Sequence, residues 1–98
     1  MMTVTIIGAT GSLGRMTSQV LLEETDANLV LLSRRADSLK DHPRVKKMAA
    51  SVYDQVALEE AVEEADLVFV ALSGDLPSMV KEIIKAMKAK GRKRIVFI

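Results

Sequence analysis

Val4-Thr5-Ile6-Ile7-Gly8-Ala9-Thr10-Gly11-Ser12-Leu13-Gly14 decides how this chain folds. Val4 to Ile7 is a β-branched run that stops at a glycine, which predicts a short strand. From Leu13 the apolar residues recur at helical spacing, at Leu13, Met16, Val20 and Leu21, which predicts a helix to Glu24. Ser12 is placed to cap that helix with its hydroxyl. Between strand and helix stand Gly8, Gly11 and Gly14. A strand–turn–helix of this kind needs glycine for three reasons: a sharp turn off the strand, close approach to a phosphate, and close packing of helix on sheet. The helix N-terminus then offers free N–H groups and a partial positive charge to an anion. The spacing G-x-x-G-x-x-G differs from the commoner G-x-G-x-x-G, but its place after the first strand is the one that dinucleotide binding requires.

The same alternation continues outward. Leu29 to Leu32 predicts a second strand, and Ala36 to Lys40 a single helical turn that His42-Pro43 ends. Val45 to Ala49 predicts a third strand, polar at its two lysines. Asp54 can cap a helix from Gln55 to Glu64 with Leu58, Ala61, Val62 and Ala65 inward. Leu67 to Ala71 predicts a fourth strand. Pro77 suits the first turn of a helix whose apolar face is Met79, Val80, Ile83, Ile84 and Met87. Lys85, Lys88 and Lys90 suit the negative end of its dipole, and Gly91 ends it. Arg94 to Ile98 predicts a fifth strand. Strands apolar on both faces, separated by helices, describe an α/β open parallel sheet covered on both sides.

Composition excludes several function classes. The chain has 98 residues, 49% of them hydrophobic and 28% charged, with formal net charge +1. That length supports one small domain, whose core removes roughly two-thirds of the unfolded surface from water. No cysteine is present, so neither disulfides nor thiolate chemistry are available. The near-zero charge argues against a nucleic-acid surface. One tyrosine, two phenylalanines and no tryptophan leave no series of stacking platforms for single strands. No apolar run approaches the about 20 residues that cross a membrane, and the N-terminus does not read as a signal peptide. A cytoplasmic protein is expected.

The end of the second strand selects the dinucleotide. NAD sites usually place an acid about 20 residues past the glycine turn, for the ribose hydroxyls. Leu32-Ser33-Arg34-Arg35 stands there instead, with no acid. An arginine fork suits a 2′-phosphate, so NADP is the expected cofactor and NAD the second choice. Arg34 is the first candidate contact and Arg35 the second. One charge-assisted bond of about 1.5–3 kcal/mol corresponds to roughly 10- to 150-fold preference.

Three stretches together resemble the short-chain dehydrogenase/reductase superfamily, in its atypical NmrA-like and NAD-dependent epimerase/dehydratase branches. They are Thr5 to Gly14, Leu32 to Arg35, and Asp66-Leu67-Val68-Phe69-Val70-Ala71-Leu72-Ser73-Gly74. The resemblance covers the whole chain but only the N-terminal half of a typical member. It implies a Rossmann-like sheet in the order 3-2-1-4-5. It also implies cofactor contacts at Gly8, Thr10, Gly11, Ser12, Leu13, Gly14 and Arg34, and at Ala71, Leu72 and Ser73. In many members an Asp after the third strand meets the adenine; Ser51, followed by Val52, stands at that place here. The family's Tyr-x-x-x-Lys is absent: Tyr53 is the sole tyrosine and Ala57 lies four residues later. No catalytic residue is therefore named. Atypical members often lack the pair.

Two function classes follow. The first is the NADP(H)-binding domain of an oxidoreductase that moves hydride to a small carbonyl, enone or quinone-type substrate. The second is a non-enzymatic NADP(H) sensor of NmrA-like type. A methyltransferase-like nucleotide binder would want an acid where Arg34 stands. Right-handed crossovers put the first helix on one sheet face and the later two on the other. One face of Leu67–Ala71 and Arg94–Ile98 is then left uncovered. A longer natural chain, or pairing with a second copy, is expected to cover it. The other features have plain structural readings. His42 reads as a surface histidine. Glu59, Glu60, Glu63 and Glu64 read as a solvated helix face rather than a metal site. Lys88 to Arg94 reads as a helix end and loop, and Met16, Met48, Met79 and Met87 as core filler.

Overall fold

The structure, a computed structural model, describes residues 2–72, 74 and 76–97. Its elements alternate along the chain. They are β1 (Thr3–Ile7), α1 (Ser12–Glu24), β2 (Asn28–Ser33), a 3-10 turn (Ala36–Ser38), β3 (Val45–Ala49), α2 (Gln55–Val62), β4 (Leu67–Val70), α3 (Leu76–Ala89) and β5 (Ile95–Phe97). The five strands form one sheet in the order β3-β2-β1-β4-β5, and every neighbouring pair is parallel. This is the Rossmann-like order expected from the sequence. The fifth strand was expected to reach Ile98, which lies outside the described residues.

Two cores sandwich the sheet. Alternate residues of β1 feed opposite faces: Val4 and Ile6 enter the core beneath α1, and Ile7 enters the core beneath α2 and α3. Leu58, Ala61, Val62 and Ala65 are all buried, as the periodicity of α2 predicts. Asp54 caps α2 by accepting the Ala57 N–H at 3.1 Å. At the other end of α2, the buried Thr5 hydroxyl donates to the Ala61 carbonyl at 2.5 Å. A strand hydroxyl thus satisfies a helix-end acceptor that has no intrahelical donor. Gly91 ends α3 with φ +67, and Arg92 donates its N–H to the Met87 carbonyl at 2.8 Å.

Two expectations for α1 are corrected. Its N-cap is Gly11, with no side-chain hydrogen bond, and Ser12 is already helical. Its buried residues are Gly14 and Ser18, with Leu21 and Leu22 partly buried. Leu13, Met16 and Val20 are 46%, 55% and 49% exposed, so Met16 is not core filler. The close approach of α1 to β1 admits only small side chains, which turns the larger apolar residues outward. On α3, Ile83, Ala86 and Met87 are buried, whereas Ile84 faces solvent. Leu67 and Phe69 are partly buried on the α1 side, and Val96, paired with Phe69, is 41% exposed. The expected uncovered strip is therefore confined mainly to β5. His42 is half-buried, and its Nδ1 accepts the Arg44 N–H at 3.0 Å.

Arg44, just before β3, closes the end of α1. Its guanidinium donates to the carbonyls of Leu22, Thr25 and Ala27 at 2.6–2.8 Å. These include helix-end acceptors, and the cation sits at the negative end of the dipole. Arg44→Met should lower the unfolding free energy by about 1.5–3 kcal/mol. Arg44→Lys should recover only part of it, because an ammonium cannot reproduce the planar fork. Urea denaturation of the two variants checks both values.

Candidate functional site

The C-terminal edge of a parallel sheet opens where the strand order reverses. Here that point lies between β1 and β4, and the loop Gly8-Ala9-Thr10-Gly11 sits beside it. Gly8 holds φ +90, and a Cβ there would overlap the Ala71 carbonyl oxygen. Glycine at this position is a steric necessity. The loop is stitched to both neighbouring strands. Gly8 N–H donates to Leu32 carbonyl, and Ala71 N–H donates to Ile7 carbonyl, both at 2.9 Å.

Gly14 has a different reason. It is buried on α1, and a Cβ would overlap the Gly8 carbonyl oxygen and Ala9. Gly11 has neither reason: its φ is −71, and a Cβ would meet only the Gly8 carbonyl oxygen, at 3.7 Å. The protein's own packing does not require glycine there. Beyond that one contact, a Cβ at Gly11, which lines the cleft, would stand in open space. The first intrahelical bond runs from Arg15 N–H to Gly11 carbonyl. That leaves the N–H groups of Ser12, Leu13 and Gly14 in the open first turn, which carries no acidic residue.

A cleft of about 290 Å³ runs along this edge. Gly8, Thr10, Gly11, Arg34, Ser51, Val52, Ala71 and Leu72 line it, together with Ile7, Leu32, Ser33, Ala50, Tyr53 and Met79. A second, adjoining hollow of about 480 Å³ is lined by Thr10, Ser33, Arg34 and Arg35. Thr10 and Ser33 join the two spaces through a hydroxyl pair, Oγ1 to Oγ at 2.6 Å. Among these described lining residues there is no carboxylate, and both arginines are exposed. The hollow therefore combines two cations with two hydroxyls, a donor set that matches a phosphate monoester.

The sequence-derived residues are thus largely brought together. Ser12, Leu13 and Gly14 stand in the first turn of α1 and do not line either space. Arg35 lines only the second hollow. Ser73 lies outside the described residues. Sequence reasoning singled out neither Ser33 nor Tyr53 nor Met79 as a site residue. Ser33 stood inside the Leu32-Ser33-Arg34-Arg35 stretch, so its position was available as a signal. Tyr53 and Met79 had none. Arg15 is a further omission: its Nε donates to the Thr10 carbonyl at 2.9 Å and holds the loop.

Comparison with known proteins adds independent observations. A sequence model described as NAD(P)H-binding matches residues 8–98. A short-chain dehydrogenase/reductase (wide type) from Veillonella parvula, solved in complex with NADP, is 30% identical with TM-score 0.92. The match covers 98% of this chain and 46% of that one. A Rossmann-fold NAD(P)-binding family protein from Shigella flexneri is 27% identical with TM-score 0.90, over 99% of this chain and 51% of that one. An oxidoreductase from Lactococcus lactis shares the fold at 18% identity and TM-score 0.78, over 98% and 47% of the two chains. This chain therefore spans about half the length of these solved structures. The comparison with curated proteins by sequence finds no match. Among the described residues no helix is long and apolar enough to cross a membrane.

The three glycines should separate by mutation. Gly14→Ala should lower the unfolding free energy by about 1–3 kcal/mol through overpacking. Gly11→Ala should lower it by less than about 1 kcal/mol, the scale of a changed N-cap. Thermal unfolding of both variants reads the difference.

Proposed function

The chain belongs to the NAD(P)H-binding family, and from that premise we propose that its cleft holds NADP(H) for an oxidoreductase. The observation that carries this is the second hollow, where Arg34, Arg35, Thr10 and Ser33 meet without a carboxylate. A 2′-phosphate there would receive charge-assisted bonds that NAD cannot make. The residues present fit the rest of the cofactor. The missing Cβ of Gly11 leaves room for a pyrophosphate. The open N–H groups of Ser12, Leu13 and Gly14, and the positive end of α1, supply its charge. Ser51 and Val52 take the adenosine end, and Ala71 and Leu72 the ribose nearer the nicotinamide.

The nicotinamide supplies the hydride when bound. The chain's own residues bind and orient it. The acceptor in this proposal is a small carbonyl, enone or quinone-type molecule, held by residues beyond this chain, which forms the N-terminal portion of a longer family domain. The exposed Val96 and Phe97 of β5 support that arrangement. A second reading is a non-enzymatic NADP(H) sensor, which would use the same cleft without turnover. Hydride turnover with quinone and carbonyl substrates by the whole protein separates the two. Measurable turnover supports the enzyme, and binding without turnover supports the sensor.

Titration of this chain with NADPH and NADH tests the cofactor itself. NADPH should bind at least about tenfold more tightly. Arg34→Ala should abolish that margin by weakening NADPH alone. Equal affinity for both nucleotides would refute the NADP assignment.

A further inference from the structure

Tyr53 is the chain's only tyrosine, and there is no tryptophan. It follows β3 by four residues, in the loop before α2, and contributes to the wall of the cleft. The residue is half-exposed, at 49%. An aromatic ring in that position is usually free to turn. This one is held at its hydroxyl, and the backbone that carries it is pinned as well. Its hydroxyl lies 2.7 Å from the Ser78 hydroxyl in the first turn of α3. Its N–H donates to Ser51 Oγ at 3.1 Å. Met79, next to Ser78, lines the same cleft. Tyr53 therefore bridges the β3 edge to α3 across one end of the cleft.

Chemistry says what would lie at that end, if the dinucleotide reading on which this rests is right. The 2′-phosphate is carried by the adenosine ribose, and the base is attached at the neighbouring carbon. Arg34 follows β2, so the adenosine ribose sits at the β2 end. β3 flanks β2, with Ser33 opposite Ala49, one strand spacing of about 4.8 Å away. The base must then lie toward Ala50, Ser51 and Tyr53. The remaining wall there is apolar or weakly polar, which suits a flat heteroaromatic ring.

We propose that Tyr53 is the stacking wall for the adenine base, locked in place by its hydrogen bond to Ser78. A ring fixed before binding loses little freedom on binding. Its π-face accepts a purine without needing a particular pattern of donors. Ser78 acts through Tyr53 and is a positioning residue.

The sole tyrosine is also the reporter. Adenosine 2′,5′-bisphosphate, added to this chain, should quench tyrosine emission along the same saturation curve that calorimetry gives. Nicotinamide mononucleotide should leave the emission unchanged. Tyr53→Leu should weaken the bisphosphate about tenfold, the scale of one lost base–aromatic stack. Tyr53→Phe and Ser78→Ala should each weaken it about threefold, and the double variant no more than either alone, because both break one latch. Equal melting temperatures for Tyr53→Phe and the parent chain confirm that the loss is not unfolding. Saturable calorimetric binding with unchanged emission, or full affinity in Tyr53→Leu, would overturn the role of Tyr53 while leaving the cofactor assignment standing. Absence of binding by both the bisphosphate and NADPH would overturn the two together.

Discussion

The contact between the Gly8 carbonyl and the backbone of Gly14 is the constraint on which this structure turns. It brings α1 so close to the end of β1 that Gly14 tolerates no Cβ, while Gly8 is held to glycine by its φ of +90 and by the Ala71 carbonyl. Everything near the cleft follows from that closeness. The loop between them is short, the first-turn N–H groups of α1 stand at its end, and Gly11 has open space beside it. A helix set farther from the sheet would need larger inward residues. It would also carry its N-terminus away from the strand ends.

Closeness of packing also explains an inversion on α1. Small residues usually fill gaps and large apolar ones fill cores. Here Gly14 and Ser18 are buried while Leu13, Met16 and Val20 are half-exposed. The helix is anchored at its far end instead, where Leu21 and Leu22 reach the core and Arg44 binds the last carbonyls. The two ends have separate tasks. The N-terminal end approaches the sheet to form the loop, and the C-terminal end holds the helix down.

Polar contacts join segments that the sheet only brings near one another. Thr10 and Ser33 tie the glycine loop to the end of β2, and Tyr53 and Ser78 tie the β3 edge to α3. Both pairs involve hydroxyls that accept as well as donate. Each pair fixes the relative position of the two segments that it joins. The arginines beside them are exposed and give the hollow its positive character.

The resemblance to a known superfamily implied the parallel order 3-2-1-4-5, and the sequence by itself determined the alternation of elements and the place of the glycine turn. These are legible because hydrophobic period, capping and glycine conformation act over a few residues. Leu58, Ala61, Val62 and Ala65 show it on α2, and Asp54 and Gly91 show it at helix ends. Arg34 was legible for the same reason, since its distance from the glycine turn along the chain sets its position at the sheet edge. Only the tertiary structure decided which face of α1 is buried, because that depends on how near the sheet lies and not on the helix's own period. It also decided that Ser33, Tyr53 and Met79 share one cleft with Thr10. Those residues are far apart in the chain, and no local pattern records which of them will meet.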